Sequence, residues 1–197
     1  MVLSVAEAVE STGINRNWQR YGRGRLYPEG VGSPLTLGDD MSERWDRHFL
    51  QLAVDHSRMS KDPSTRVGSV IVGPDREIRS SGFNGFPRGI ADTAERLADR
   101  DTKLRLVVHG EMNAILNAAR VGIPLKGCAL YLAATDQSGV VWGGAPCTRC
   151  TVEIIQAGIS EVISLPFKDT PSRWRDDVAF ARSLLEEAGI IYREVSA

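Results

Sequence analysis

Two short motifs place three potential metal ligands at the starts of two predicted helices, and they constrain the fold of this chain more than any other feature. The first motif is His109-Gly110-Glu111, and the second is Pro146-Cys147-Thr148-Arg149-Cys150. Two cysteines three residues apart on the first turn of a helix lie on one side of it, so both can bind one ion. A strand is predicted between the motifs, and a site shared with His109 requires the two helix starts to meet.

The ligand types favour zinc. One imidazole and two thiolates leave the fourth position of a tetrahedral zinc ion open for water, which is typical of catalytic rather than structural sites. Helix N-termini and the metal both favour thiolate over thiol. Glu111 lies two residues from His109, so it can stand beside the metal without binding it. We expect Glu111 to move protons between the water and a substrate.

Each part of this pattern has a simpler interpretation when taken alone. An isolated C-x-x-C could be a redox pair, a lone histidine is more often structural, and a lone glutamate at a helix start is favoured by the helix dipole. Only the occurrence of both motifs, in this order, favours the catalytic metal site. The third cysteine, Cys128, falls in a predicted strand and is expected to be a buried thiol without a chemical role.

Composition bounds the class of protein. The chain has 197 residues, 42% of them hydrophobic, which is enough for one globular domain with a full core. Its formal net charge of −1 provides no overall field for collecting nucleic acid or anionic membrane. The first ten residues lack the pattern of a targeting segment, and no apolar run approaches the roughly 20 residues of a membrane span. The sequence therefore predicts a soluble, cytoplasmic protein without a disulfide framework.

The chain divides into an extension and a domain. Residues 1–40 lack sustained periodicity, apart from a possible helical turn over residues 5–9, and are expected to be partly disordered or packed against another subunit. The domain is expected to span residues 41–197. Helical periodicity and capping signals predict helices over 42–56, from about 109, over 147–158 and over 174–188, with Ser42 as the first N-cap. Strands are predicted over 67–72, 77–83, 129–133, 162–165 and 190–195, with a long loop over 84–105 and a glycine-containing connection over 135–146.

The alternation of helix and strand in the second half favours a mixed sheet covered by helices on both faces. Beyond the two motifs, three segments carry a family resemblance: Ser60–Gly68, Gly82–Gly89 and Val108–Leu116. With the tail around Leu184 and Tyr192, residues 43–195 resemble the deoxycytidylate deaminases of the cytidine deaminase-like superfamily, whose zinc motifs this chain shares. The resemblance implies an α/β fold, a three-layer α/β/α sandwich with a five-stranded mixed sheet, in a homo-oligomer.

The resemblance also implies an activity. One catalytic Zn²⁺ per subunit would be held by His109, Cys147 and Cys150, with Glu111 as the catalytic proton carrier. The expected reaction is attack of water at C4 of dCMP, giving dUMP and ammonia. Contacts implied for the substrate are Asn84 with the sugar, the Ser60–Lys61 region with the phosphate, and the backbone of Ala145 and Pro146 with the base edge. Arg66 and Arg88 are further candidates for the phosphate, because a dianion needs local cations.

The sequence departs from the family in three places. Gly110 stands where the family has alanine, and we expect this replacement to be tolerated sterically, although glycine loosens the helix start. The connection over 135–145 is longer than usual and could form a wall that changes which base fits. Residues 1–40 have no family counterpart.

These departures leave other functions open. The substrate could be another free nucleoside or nucleotide, such as a modified cytosine or a purine. A deaminase of nucleic acid is possible because four arginines, Trp18 and Tyr21 are interleaved over residues 16–25, although the near-neutral charge favours a subunit-packing tail. A non-enzymatic protein that keeps zinc as a staple is disfavoured by the intact Glu111.

Overall fold

The computed structural model describes residues 18–21, 25–28, 35–167 and 172–196, with side chains from residue 42 onward. Its internal contacts divide the chain into two units, Met1–Ser42 and Glu43–Ala197. In the first unit, strands β1 (Trp18–Tyr21) and β2 (Arg25–Pro28) pair in antiparallel register. No strand was predicted there, because four-residue strands are too short to show alternation against their surroundings. The predicted helical turn over 5–9 lies outside the described residues.

The first helix is longer than predicted. Helix α1 (Leu35–Ser57) begins well before Ser42, which is therefore an internal position and not the N-cap. Pro34 directly precedes the helix in sequence, and a proline near the beginning of a helical pattern is a recognised start signal. Within the second unit, Phe49, Leu50 and Ala53 of α1 are buried.

The second unit is built on one mixed sheet. Its strands are β3 (Arg66–Val72), β4 (Ile78–Phe83), β5 (Ala129–Thr135), β6 (Val141–Trp142), β7 (Glu161–Ser164) and β8 (Ile191–Glu194). The spatial order is β4-β3-β5-β7-β8, with β3 antiparallel to β4 and β5, and with β7 and β8 parallel to β5. The short strand β6 pairs antiparallel with the end of β5. The five predicted strands are confirmed, and β6 is an addition inside the predicted 135–146 connection.

The described part of the unit contains five more α-helices, α2 (Ala94–Ala98), α3 (Arg100–Leu106), α4 (Gly110–Val121), α5 (Thr148–Gln156) and α6 (Arg175–Glu187), and a short 3-10 helix, Ser172–Trp174. The predicted loop over 84–105 therefore contains two helices. Thr93 and Asp99 cap them by accepting hydrogen bonds from backbone N–H groups of their first turns. Neither helix buries a residue, so neither has the apolar stripe that would have identified it.

Side chains that alternate along the central strands fill two cores on opposite faces of the sheet. Val70, Tyr131 and Ile163 pack with α1 on one face. Leu130, Val162 and their neighbours pack with α4, α5 and α6 on the other. The result is the predicted three-layer α/β/α arrangement. Cys128 is fully buried in the second core, as expected. Among the residues whose structure is described, no helix is both long and apolar enough to cross a membrane.

The position of α4 depends on two glycines. A Cβ added at Gly82 of β4 would lie 2.4 Å from the backbone nitrogen of Ala114, and one added at Gly110 would lie 2.7 Å from the carbonyl oxygen of Val67. Both distances are shorter than real Cβ contacts. Glycine is therefore sterically accommodated at residue 110, as expected, and the start of α4 lies directly against the β3 backbone.

Candidate active site

The starts of α4 and α5 bring the three predicted ligands together. His109 and Cys147 are the N-cap residues of these helices, both with extended backbone, and Cys150 lies in the first turn of α5. Nδ1 of His109 lies 3.3 Å from Sγ of Cys147 and 3.4 Å from Sγ of Cys150. All three ligand atoms lie within 4.8 Å of one another, so they could hold one metal ion.

The donor set fits zinc. Two sulfurs and an imidazole nitrogen match the borderline-soft character of Zn²⁺, and three protein ligands leave a position for water. Mg²⁺ and Ca²⁺ prefer oxygen ligands, so this donor set does not suit them. The chemistry of the side chains therefore agrees with the ion that the motifs predicted.

Hydrogen bonds within the cluster favour a thiolate at Cys147. The contact with the Cys150 thiol lowers the pKa of Cys147 to about 4, against the opposing effect of burial and with help from His109. The same contact, together with burial, raises the pKa of Cys150. The hydrogen bond with Cys147 raises the pKa of His109 to about 9.

Glu111 lies beside this cluster and does not belong to the ligand group. Its side chain is buried, with a relative exposure of 3%, and it lines the same cavity as His109. Burial raises the pKa of its carboxyl to about 7, and the negative charge of Cys147 adds to this effect. No atom of the described residues hydrogen-bonds its Oε2. A carboxyl with a pKa near neutrality can both take up and release a proton.

A cavity of about 690 Å³ opens over these groups. This volume falls within the range of sites for small molecules and cofactors. Four parts of the chain form most of its wall, namely residues 62–65, 97–107, 142–147 and 173–178. Trp142 enters the wall because β6 returns along β5, so the long connection does form a wall of the cavity.

Three of the predicted substrate residues line the cavity: Asn84, Ala145 and Pro146. The amide of Asn84 is already engaged with the backbone. Its Oδ1 accepts a hydrogen bond from the N–H of Val67 at 2.7 Å, and its Nδ2 donates to the carbonyl of Thr65 at 2.9 Å. Asn84 therefore holds β3 and the preceding loop together at the cavity wall.

The other four predicted substrate residues do not line the cavity. Each makes a contact within the protein: Ser60 donates to the carbonyl of Asn84, Lys61 pairs with Asp92 at 3.0 Å, Arg66 donates to the carbonyl of Asp62, and Arg88 donates to Asn117. Contact of these residues with a substrate stays a prediction.

Sequence reasoning missed several wall residues, above all the cations Arg100, Lys103 and Arg173 and the aromatic Trp174. Lys103 lies 3.2 Å from Oδ1 of Asp62. Burial opposes ionisation of Asp62, but hydrogen bonds from the N–H groups of Ser64 and Thr65 outweigh it and lower its pKa. The caps at Thr93 and Asp99 could have revealed the helices that carry Arg100 and Lys103. No local signal marks Arg173.

The α/β fold and a His–Cys–Cys cluster with a buried glutamate define a class, the zinc-dependent hydrolytic deaminases. Residues 43–165 match the model of one protein family, described as the cytidine and deoxycytidylate deaminase zinc-binding region. The chain belongs to this cytidine and deoxycytidylate deaminase family, and it is a hydrolytic enzyme that uses zinc.

Individual relatives agree with this assignment. The human deoxycytidylate deaminase is 37% identical over 161 residues, covering 79% of this chain and 82% of the human protein. A probable deoxycytidylate deaminase of Drosophila melanogaster is 32% identical, covering 76% of this chain and 71% of its own length. The apo crystal structure of dCMP deaminase from the cyanophage S-TIM5 superposes with a TM-score of 0.57 at 20% identity, covering 77% of this chain and 98% of that one. This last similarity confirms the fold.

Proposed function

We propose that this chain converts dCMP and water to dUMP and ammonia. One structural observation carries the proposal: Glu111, whose buried Oε2 has no partner among the described residues, lines the same cavity as His109 and Cys147 of the ligand cluster. The choice of dCMP is supported by the similarity to relatives named deoxycytidylate deaminase.

The residues divide the chemistry between them. His109, Cys147 and Cys150 hold the zinc, which when bound makes water nucleophilic at neutral pH. As water oxygen joins C4 of the cytosine, Oε2 of Glu111 takes one proton from it and passes that proton to N3 of the ring. Glu111 then carries the second water proton to the amine on C4. The C4–N bond breaks, and the products are a carbonyl at C4 and ammonia.

The wall of the cavity positions the base for this step. Trp142 and Leu132 provide buried apolar surface, which excludes bulk water and favours a flat ring. The backbone of Ala145 and Pro146 stands next to Cys147 and is proposed to contact the base edge. The sugar is proposed to contact the wall at Asn84.

Ammonia release from the purified zinc-loaded protein tests the proposal. The panel contains dCMP, CMP, deoxycytidine, dCTP, a 5-substituted dCMP, AMP, guanosine and a single-stranded oligonucleotide. We expect the highest kcat/KM for dCMP. A preparation of the Glu111→Gln variant, purified in the same way, controls for a contaminating deaminase.

Each other outcome has a defined meaning. Turnover of AMP or guanosine without dCMP would replace the substrate and keep the zinc and glutamate chemistry. Turnover of the oligonucleotide alone would favour an enzyme acting on nucleic acid. No turnover of any compound by zinc-loaded protein would contradict the proposal.

A further inference from the structure

One part of the cavity wall is cationic. Three permanently charged side chains line it: Arg100 and Lys103 from α3, and Arg173 from the segment before α6. Arg173 is far from Arg100 and Lys103 in sequence, and the fold brings α3 and the segment before α6 to the same cavity.

Charge pairing distinguishes these three side chains. Lys103 is neutralised by Asp62 at 3.2 Å and also donates to Oγ of Ser64 at 3.0 Å. Across residues 35–167 and 172–196, neither Arg100 nor Arg173 forms an ion pair with a carboxylate. Two positive charges in the cavity wall are therefore not balanced by the described part of the chain.

Arg173 is held in place without losing its donors. One of its N–H groups donates to Oγ1 of Thr65 at 3.2 Å, and its guanidinium lies 5.7 Å from the ring centroid of Trp174. A guanidinium has five N–H donors in a fixed planar arrangement, so several are left for a ligand. The contacts with Thr65 and Trp174 already restrict the side chain, so it loses less conformational entropy when a ligand binds.

Trp174 adds an unusual donor to the same wall. Its Nε1 is buried and has no hydrogen-bond partner among the described residues. A buried N–H without an acceptor is rare in folded proteins, and the residue that carries this one lines the cavity. Two guanidinium groups without a carboxylate partner in the described part of the chain, beside an indole N–H, favour a ligand that offers several acceptor oxygens and negative charge. A phosphate monoester has both properties.

We infer that Arg173 and Arg100, with Nε1 of Trp174, bind the 5′-phosphate of the substrate and make this enzyme select a nucleoside monophosphate over a nucleoside. The inference rests on the proposed function. It assigns the phosphate to Arg100 and Arg173 and not to Lys61, Arg66 or Arg88, the residues that the sequence pattern indicated. Arg100 and Arg173 would thereby determine specificity without entering the proton transfers of Glu111.

Steady-state kinetics on dCMP and deoxycytidine test the inference in the zinc-loaded full chain. The variants are Arg173→Gln, Arg100→Gln and Trp174→Phe, which keeps an aromatic ring and removes the N–H. A hydrogen bond to a charged group is worth about a 10- to 100-fold change in affinity. We expect each arginine variant to lower kcat/KM for dCMP by about this factor, mainly through KM, and to leave kcat/KM for deoxycytidine unchanged. Trp174→Phe should show a smaller loss of the same selective kind.

Two matched controls remove the same charge next to the site. Arg105→Gln changes the same helix as Arg100, and Arg175→Gln lies two residues after Arg173. Both arginines are exposed and neither lines the cavity. We expect both controls to keep the preference for dCMP over deoxycytidine. An equal loss in the controls would attribute the effect to net charge and overturn the inference.

The wild-type kinetics separate the two levels of the argument. Failure of the wild type to turn over dCMP would contradict the proposed function. Given wild-type turnover of dCMP, the inference alone is overturned if the arginine variants keep the wild-type ratio of kcat/KM for the two substrates. It is likewise overturned if the selective loss occurs in Lys61→Gln or Arg88→Gln instead.

Discussion

Glu111 combines burial with an unused hydrogen-bonding atom, a costly state for a carboxyl group. Leaving a buried polar atom without a partner costs on the order of 1–3 kcal/mol. Its Oε2 has no partner in the described part of the chain, although backbone groups lie close by in α4. A group kept in this state beside three potential metal ligands is better explained by chemistry than by stability.

We predict that Glu111→Gln abolishes turnover and keeps the metal. The amide has the same shape but cannot accept and return protons, so kcat should fall by about 100- to 10,000-fold. Measurement of ammonia release, together with the zinc content by elemental analysis, checks both parts. Glu187→Gln, at an exposed position of α6, is the matched control and should keep full activity. Full activity in Glu111→Gln would contradict the assigned role.

At the scale of residues, the predicted metal ligands within short motifs were confirmed, whereas cavity residues outside those motifs were missed. His109, Cys147 and Cys150 meet as predicted, because each lies in a short motif at a helix start. The phosphate contact was predicted for the Ser60–Lys61 region, Arg66 and Arg88, which stays a prediction, and the cations of the cavity wall were missed. Arg100 and Arg173 reach the cavity through tertiary packing, which no local pattern encodes.

At the scale of elements, α4 owes its position to the absence of side chains at its contact with the sheet. Gly82 and Gly110 let the helix backbone approach β3 and β4 more closely than any Cβ would permit. This approach places His109 and Glu111 at the cavity. Helix propensity alone would favour alanine at residue 110, so packing overrides propensity here.

We predict that Gly110→Ala destabilises the protein even though it adds a better helix former. The new Cβ would lie 2.7 Å from the Val67 carbonyl oxygen, and overpacking of this kind costs about 1–3 kcal/mol. Chemical denaturation measures the free energy of unfolding. Gly85→Ala is the matched control, since its Cβ would meet nothing within 4 Å. Equal stability of the two variants would contradict the prediction, because the backbone at the start of α4 would then move away from the new Cβ at no cost in free energy.

The predicted elements fail where burial is weak. Helices α2 and α3 bury no residue, so charged sequence alone was interpreted as a loop. Strand β6 has two residues, too few to show an alternation of apolar and polar side chains. The long helices and central strands were predicted because their buried faces impose a period on the sequence.

At the scale of the whole molecule, a network of charged groups joins the beginning of the second unit to its end. Arg193 of β8 donates to Asp46 of α1 at 2.8 Å and to Glu161 of β7 at 2.6 Å. The hydroxyl of Tyr131 donates to the other oxygen of Asp46 at 2.7 Å. Asp46 and Glu161 have side-chain exposures of 4% and 6%, so the charge of Arg193 offsets part of the cost of burying both carboxylates.

We predict that Arg193→Gln lowers the free energy of unfolding by about 1–3 kcal/mol. Its loss leaves two buried carboxylates without their cation, while the partial exposure of Arg193 moderates the effect. Arg182→Gln is the control, because Arg182 is exposed and lies 3.9 Å from Glu194, where a pair contributes about 0–1 kcal/mol. Thermal and urea unfolding should separate the two variants. An equally small effect of both variants on the free energy of unfolding would contradict a role of the network in stability.

The α/β class and the layer order were predictable because alternation of helix and strand permits few arrangements. The extent of the deaminase domain, the homo-oligomer and the role of residues 1–40 stay predictions, since they depend on contacts that a single chain does not contain.

The reactive groups and the cavity wall have different origins in the fold. Glu111 and Cys150 lie on helices packed against the sheet, while much of the wall comes from connections, including residues 62–65 and 143–146. Connections tolerate insertion and replacement better than packed elements do. An ancestor of this chain could therefore exchange one substrate for another by rewriting its connections, with its reaction intact throughout. The lengthened segment around Trp142 is the place where such a history would leave its trace.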